Sequence, residues 1–178
     1  MPGVHENGGQ YTHAAVWAAM AFAALGDAQR EWELFTMIDP IKHADSPRAI
    51  ATYLTEPYVI ASDVYALAPH TGRGGWTWYT GSAGRMLRFI LESLLVLKVE
   101  LDRLRIVPCL PVQRDSFQLN YRYRKTLYRI KVLQTFTADH GPVLIVDGVE
   151  LAGPAIPLVD DRYEHVEVAR IRKTGAKK

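Results

Sequence analysis

Hydrophobic and polar positions along this chain change period once, near residue 100. Before that point apolar residues recur at helical spacing. An Ala-rich run from about Gln10 or Thr12 to Leu25 carries Val16, Trp17, Met20 and Phe22, which predicts a helix buried on most sides. Gly26 suits the position just past its end, and Asp27 suits the N-cap of a second helix over about 28–38, where Trp32, Phe35, Met37 and Ile38 recur. Asp39-Pro40 ends that helix. Ser46-Pro47 reads as an N-cap followed by proline in the first turn of a short helix to about 54, which Glu56-Pro57 closes. Residues 57–84 form a long connection with some helix near 60–67, and 84–98 predict a last helix, apolar on nearly every side and deeply buried.

From about residue 102 the period becomes two. Leu104-Arg105-Ile106-Val107 begins a series of short strands, and Phe117 to Arg124 and Leu127 to Leu133 alternate, with Lys125-Thr126 between them as a hairpin turn. Val143–Val146 reads as a buried strand, Asp147-Gly148 as a hairpin turn, and Val149–Leu151, Ile156–Leu158 and His165–Ile171 complete about six strands. The predicted class is α+β in two parts: helices over 10–100, then an antiparallel β-sandwich over 102–171, with a disordered tail from Lys173.

Composition fits a soluble globular chain of one domain or two small ones: 178 residues, 48% hydrophobic and 22% charged. A net charge of +2 selects no partner. The basic residues from Arg122 to Lys131 and from Arg170 to Lys178 read as a solvated strand face and a frayed tail rather than a nucleic-acid surface, because alternation puts them on one side. The single Cys109 excludes an internal disulfide and reads as a small buried hydrophobe. No apolar run is long enough to span a membrane, and the first residues have no apolar signal-peptide core; they read like the middle of something longer. Zinc spacings, a Walker loop, G-x-G-x-x-G and G-x-S-x-G are all missing, so neither a metal nor a cofactor is expected.

Candidate chemistry concentrates in residues 73–84, where four Gly, two Trp and four hydroxyl groups share a dozen positions ahead of a helical run. Thr80-Gly81 falls about where that helix begins, and a helix N-terminus with free N–H groups is an anion site. An aromatic, glycine-rich approach to it suggests a sugar beside a phosphate; a tight loop with two core tryptophans is the competing reading. His13, at the start of the Ala-rich helix, could donate to an anion or serve as a capping or core histidine.

Three segments, Glu6-Asn7-Gly8-Gly9 with His13, then Glu56-Pro57-Tyr58 with Asp63-Val64-Tyr65, then Gly72 to Gly84, occur in an order and spacing that resembles the C-terminal part of glycoside hydrolase family ninety-four. That family holds cellobiose, chitobiose and related β-glycoside phosphorylases and the phosphorylase-like region of cyclic β-1,2-glucan synthetase, whose branch this wording most resembles. Leu104 to Pro111 and Ile156 to Asp161 also resemble the family's C-terminal sandwich. The resemblance implies that 1–101 are the last helices of an incomplete (α/α)6 toroid and 102–172 the C-terminal β-sandwich. It implies inverting phosphorolysis, in which inorganic phosphate, a co-substrate, attacks the anomeric carbon and an aspartic acid protonates the leaving oxygen. A second carboxylate base is then unnecessary.

Carried onto this chain, the resemblance makes His13, Thr80 and Gly81 phosphate ligands and Glu6 a ligand of the acceptor-side sugar. Trp76, Trp78 and Tyr79 become sugar-facing aromatics, or core residues. The family's general acid lies in an upstream motif, so no catalytic residue is assigned here and Asp63 is not promoted. Arg85 stands where the family usually has an aromatic. The implied function is a C-terminal piece of a β-glucan-processing phosphorylase-like protein, inactive alone. Its expected partners are a β-linked glucan or glucoside, phosphate, and an upstream barrel segment or a second copy. Its expected location is cytoplasmic, the parent attached to the inner membrane through segments outside this chain. The alternative is a non-catalytic carbohydrate-binding or assembly subunit that completes a barrel supplied by another chain.

Overall fold

The structure, a computed structural model, describes residues 2–78, 80–106, 108–111, 113–135, 143–153 and 155–172, without the side chains of Thr80 and Arg172. The chain divides into two compact units, Met1–Ile90 and Leu91–Lys178.

The first unit is built on helices α1 (Thr12–Ala24), α2 (Ala28–Ile38), α3 (Pro47–Tyr53) and α4 (Thr80–Phe89). Their ends follow local chemistry. Asp27 accepts the Arg30 N–H at 3.0 Å to cap α2, and Ser46 accepts the Ala49 N–H at 3.2 Å to cap α3, with Pro47 in its first turn. Gly26 follows α1 with φ +74°. Val16, Ala19, Ile38, Met86 and Phe89 form the core, which joins α1, α2 and α4.

Three helical expectations fail. Residues 60–67 are not helical; they contain a strand. Helix α1 is buried along Thr12, Val16 and Ala19 only, and Trp17 is exposed. The last helix ends early: α4 passes into one π turn, Ile90–Leu94, and Leu97–Glu100 is strand β4. Val96, at φ +44°, breaks the helix, and the next residues pair with β5 (Arg103–Ile106) across a turn at Leu101, φ +58°. Leu87 of α4 is exposed, so that helix is covered on one face and not all round.

Short strands also interrupt the helical unit. Strands β1 (Gln10–Tyr11), β2 (Asp63–Val64) and β3 (Gly74–Gly75) make a three-stranded antiparallel sheet in that order.

In the second unit, β10 (Ala155–Pro157), β5 and β4 form one antiparallel sheet. A second sheet contains β6 (Ser116–Tyr123), β7 (Thr126–Thr135), β8 (Val143–Val146), β9 (Val149–Leu151) and β11 (Glu164–Arg172), in the order β6-β7-β11-β8-β9. Both sheets contribute to one core: Leu104, Ile106 and Ile156 from the first, and Tyr128, Ile130, Val132, Leu144, Ala169 and Ile171 from the second. The expected all-antiparallel arrangement is corrected here. β11 runs parallel to β7 from Glu164↔Leu127 to Arg172↔Thr135. A parallel pair needs a long crossover, and everything between β7 and β11 serves as that connection. The β6–β7 turn is Arg124-Lys125, one residue earlier than predicted, with Arg124 at φ +52°. Asp147-Gly148 makes the predicted hairpin, both residues at positive φ (+46° and +85°) as a type I′ turn requires. Cys109 is half-buried. The expected tail from Lys173 lies outside the described residues.

One end of this unit is held by polar groups. The Tyr128 hydroxyl, buried, accepts the Val159 N–H at 2.6 Å and donates to the Val159 carbonyl at 3.1 Å. Asp160 accepts the Lys125 N–H, and Asp161 accepts from the Thr126 hydroxyl and the Tyr163 N–H, which pins the loop before β11 to the β6–β7 hairpin. His165 stacks on Tyr128 with ring centroids 5.0 Å apart. Its two nitrogens face carboxylates, Nδ1 against Asp147 at 2.6 Å and Nε2 against Asp161 at 3.0 Å. The hydrogen bond to Asp147 raises the His165 pKa; the bond to His165 lowers that of Asp147, and the Tyr163 N–H lowers that of Asp161.

Two strand positions inward, Glu167 is fully buried and neither carboxyl oxygen has a hydrogen-bond partner among the described residues. Burial pushes its pKa from the ordinary 4.5 to about 8. The folded state therefore holds a proton that the unfolded state releases, and stability falls as pH rises from about 4.5 to about 8. His165 adds to the same trend, because a raised histidine pKa contributes stability at low pH that is lost as pH rises through it. Glu167→Gln should raise stability at pH 9 by roughly 3–5 kcal/mol and leave it little changed near pH 4. Urea midpoints measured from pH 4 to pH 9 check this; a decline equally steep in the variant refutes it.

Candidate functional site

The small sheet β1-β2-β3 brings the three motif segments together. Tyr11 pairs with Asp63 and Asp63 with Gly75; Gln10 pairs with Val64 and Val64 with Gly74. Flanking backbone bonds extend the tie: the Thr12 N–H donates to the Ser62 carbonyl at 2.8 Å, the Ser62 N–H to Gly75 at 3.1 Å, and the Ala66 N–H to Gly3 at 2.9 Å. Asp63 is fully buried and accepts the His5 N–H through Oδ2 at 2.8 Å, which anchors the loop that carries Glu6.

The glycine pair of β3 has a cause in packing. A Cβ on Gly75 would lie 2.5 Å from the Tyr65 ring, and one on Gly74 would lie 2.6 Å from the Thr55 methyl and 3.0 Å from the Tyr53 ring. Side chains of this protein, not a ligand, occupy the space those glycines leave. Gly81 and Gly84 differ: a Cβ on either would meet nothing within 4 Å, so the first turns of α4 face open space.

The sequence-predicted site residues fall as follows. Glu6 is exposed on its loop. His13 is half-buried in the first turn of α1, its ring 6.2 Å from Tyr11 and 5.3 Å from Trp17. Gly81 is the second residue of α4, and α1 packs on α4. Thr80 opens α4, with its side chain outside the described set, and Tyr79 lies outside the described residues. Trp76 and Trp78 are 62% and 69% exposed in this chain. They face different partners: Trp76 lies 5.8 Å from the His5 ring, and Trp78 lies 6.4 Å from Tyr58. Both tryptophans take left-handed backbone, φ +55° and +64°, at a cost of about 1–3 kcal/mol each. Arg85 lies over the Trp17 ring at 5.5 Å, so a cation–π contact stands where the resembling family has an aromatic.

The sequence assigned no role to His5, Tyr65 or Arg73, although Tyr65 and Arg73 fall within the motif segments. A cleft of about 540 Å³ is lined by Leu54, Glu56, Tyr65, Arg73 and Trp76 among others. The signal for Tyr65 was its place after Asp63-Val64; nothing local distinguished His5. No group of three or more His, Cys, Asp or Glu able to hold a metal occurs among the described residues, and no helix among them is long and apolar enough to cross a membrane.

Trp76, exposed, lines this cleft together with one acidic side chain, Glu56, and one basic side chain, Arg73. Comparison with known proteins identifies the superfamily. Residues 1–96 match the family described as the glycosyl hydrolase 94 superfamily, catalytic domain, and the chain belongs to that superfamily. It is 47% identical over 131 residues to the cyclic beta-(1,2)-glucan synthase NdvB of Rhizobium meliloti (strain 1021), a match covering 74% of this chain and 5% of the relative. It is 28% identical over 171 residues to a solabiose phosphorylase of Paenibacillus borealis, covering 94% of this chain and 22% of that protein. With an N,N'-diacetylchitobiose phosphorylase of Vibrio furnissii it shares 29% identity over 131 residues, 73% of this chain and 16% of the relative. The chain thus spans less than a quarter of the length of each of these relatives.

The close approach at β3 generates a direct test. Gly75→Ala should destabilise the first unit by roughly 2–3 kcal/mol, because the methyl group must displace the Tyr65 ring. Adding Tyr65→Leu should recover most of the loss. Thermal melts of the single and double variants decide it, and a neutral Gly75→Ala would refute the packing account.

Proposed function

We propose that this chain supplies the phosphate-binding side and part of the sugar-binding side of an inverting glycoside phosphorylase-like site for β-linked glucosides. The observation that carries this reading is the β1-β2-β3 sheet, which joins the three motif segments beside packed helices bearing His13 and Gly81. In this reading, inorganic phosphate is held by the His13 imidazole, the Thr80 hydroxyl and the Gly81 N–H at the start of α4, where the partial positive charge of a helix end favours an anion. The phosphate oxygen forms a bond to the anomeric carbon as the glycosidic C–O bond breaks, and the leaving oxygen takes a proton from an acid outside this chain. Glu6 accepts a hydroxyl of the acceptor sugar, and Trp76, Trp78 and Tyr79 offer ring faces. The similarity to a beta-(1,2)-glucan synthase and to disaccharide phosphorylases supports a β-glucoside substrate.

The helices belong, in the same reading, to an (α/α)6 toroid, and the two sheets of the second unit to its C-terminal sandwich. Exposed Trp17, Met37 and Leu87 are the surfaces that further barrel helices, or a second copy, would cover.

Each charge-assisted bond to phosphate is worth roughly 1.5–3 kcal/mol. His13→Ala and Thr80→Ala should each weaken phosphate binding by about ten- to a hundredfold in a ³¹P NMR titration. Trp17→Phe should change the melting temperature and not the affinity. The isolated chain should release no glucose 1-phosphate from β-glucosides. Turnover by the chain alone would mean that it carries its own acid, with Glu6 or Asp63 as the first candidates. Unchanged phosphate affinity in both alanine variants would favour a carbohydrate-binding subunit without a phosphate site.

A further inference from the structure

The sheet edges of the second unit are not alike. Among the described residues, β9 and β10 are three residues long and β4 is four, whereas β6, Ser116–Tyr123, runs for eight. Short edge strands are a common way to keep a sheet from pairing with another chain. β6 lacks that protection and most others. It holds no proline, and Arg122 is its one charged residue. Its register with β7 runs unbroken from Ser116↔Leu133 to Tyr123↔Thr126, so no bulge bends it away. No backbone bond to its outer edge occurs among the described residues.

The side chains of β6 alternate. Phe117, Leu119, Tyr121 and Tyr123 pack against the core but are only partly buried, while Ser116, Gln118, Asn120 and Arg122 are exposed. The apolar row on the inner face therefore stops half-covered at the edge. The two-residue turn Arg124-Lys125 makes Tyr123 and Thr126 a bonded pair, so the odd-numbered residues direct their N–H and C=O groups to β7. Gln118, Asn120 and Arg122 turn theirs to the free edge.

This strand complements itself in one antiparallel register. A two-fold axis at Asn120 sets Phe117 against Tyr123 of a second copy and Leu119 against Tyr121, all on the inner face, where such pairs stabilise a sheet. Gln118 then meets Arg122. Continued past the strand ends, the register brings exposed Asp115 towards exposed Lys125 of the other copy, opposite charges at both ends. Moving the axis to Leu119 instead brings Arg114 towards Arg124, a like-charge pair that disfavours the slip.

We propose that β6 is a docking edge for a second copy of this chain, the two β6 strands pairing antiparallel about an axis at Asn120 and joining their sheets into one. The contact is independent of the phosphate and sugar chemistry proposed above.

Sedimentation velocity over a concentration series should show a reversible dimer. Asn120→Lys puts two ammonium groups on the axis and should weaken the dimer about tenfold. Asn120→Pro removes an outward N–H while sparing the bonds to β7, and should abolish the dimer with little change in melting temperature. The register has its own readout. In a Cys109→Ser background, Asn120→Cys should cross-link to itself on mild oxidation, because bonded antiparallel residues lie about 5.5 Å apart between Cα atoms. Gln118→Cys, which faces Arg122 and not its own copy, should stay uncross-linked. A monomer at every concentration up to the millimolar would overturn the proposal. So would a dimer unaffected by Asn120→Lys and Asn120→Pro, which would place association on the exposed helices. Equal cross-linking by Gln118→Cys and Asn120→Cys would overturn the register.

Discussion

The buried carboxylate of Asp63 is the interaction on which the first unit's functional surface depends. It belongs to the middle strand of a sheet whose strands are two residues long, far below the length at which a sheet is stable alone. Pairing persists because side chains complete what the backbone bonds begin. Oδ2 of Asp63 holds the His5 N–H, the Tyr65 ring fills the space beside Gly75, and Tyr53 and Thr55 fill the space beside Gly74. Removing any one leaves a carboxylate without its donor or a strand without its packing. Segments separated by some 50 residues in sequence stay together by that combination, and not by strand length.

The same anchoring sustains local strain. His5, Trp76 and Trp78 all have left-handed backbones and remain at least partly exposed. Glycine at those positions would be easier for the backbone, so each ring carries strain that the surrounding contacts must offset. The Arg85–Trp17 contact works in the opposite sense. It shields an exposed indole with a guanidinium and couples α1 to α4 through a pair that tolerates water. His13 lies one turn before Trp17 and Gly81 one turn before Arg85, so this contact falls one turn inside each of the two helix ends that carry the proposed anion site.

The second unit combines an apolar core with a polar end. His165, with Asp147 on one nitrogen and Asp161 on the other, is favoured as an imidazolium, which neutralises part of the charge that two carboxylates bring to one spot. Asp160 and Asp161 also bind the hairpin between β6 and β7, so the loop that precedes the parallel strand is positioned by charge and backbone bonds together. Glu167, two residues further along β11, has no hydrogen-bond partner for its carboxyl among the described residues, and burial raises its pKa to about 8.

Local chemistry along the chain determined a good deal. Asp27, Ser46-Pro47, Gly26 and Asp147-Gly148 act through neighbours one to four residues away, and the structure uses each as its type predicts. The period change separated helical from strand segments, and the motif residues pointed to the superfamily. Tertiary structure alone decided the rest. The parallel pairing of β11 with β7 joins residues 37 apart and leaves no local pattern, since alternation is the same for either direction. Residues 97–100 became a strand because β5 was available to pair with them. Trp76 and Trp78 read equally as core or surface until the loop's left-handed turns directed them outward, and Gly74 and Gly75 read as room for a ligand until Tyr53 and Tyr65 were found in that room. Which groups meet across long sequence separations depends on how the whole chain closes its core, and that information is distributed over residues that show nothing individually.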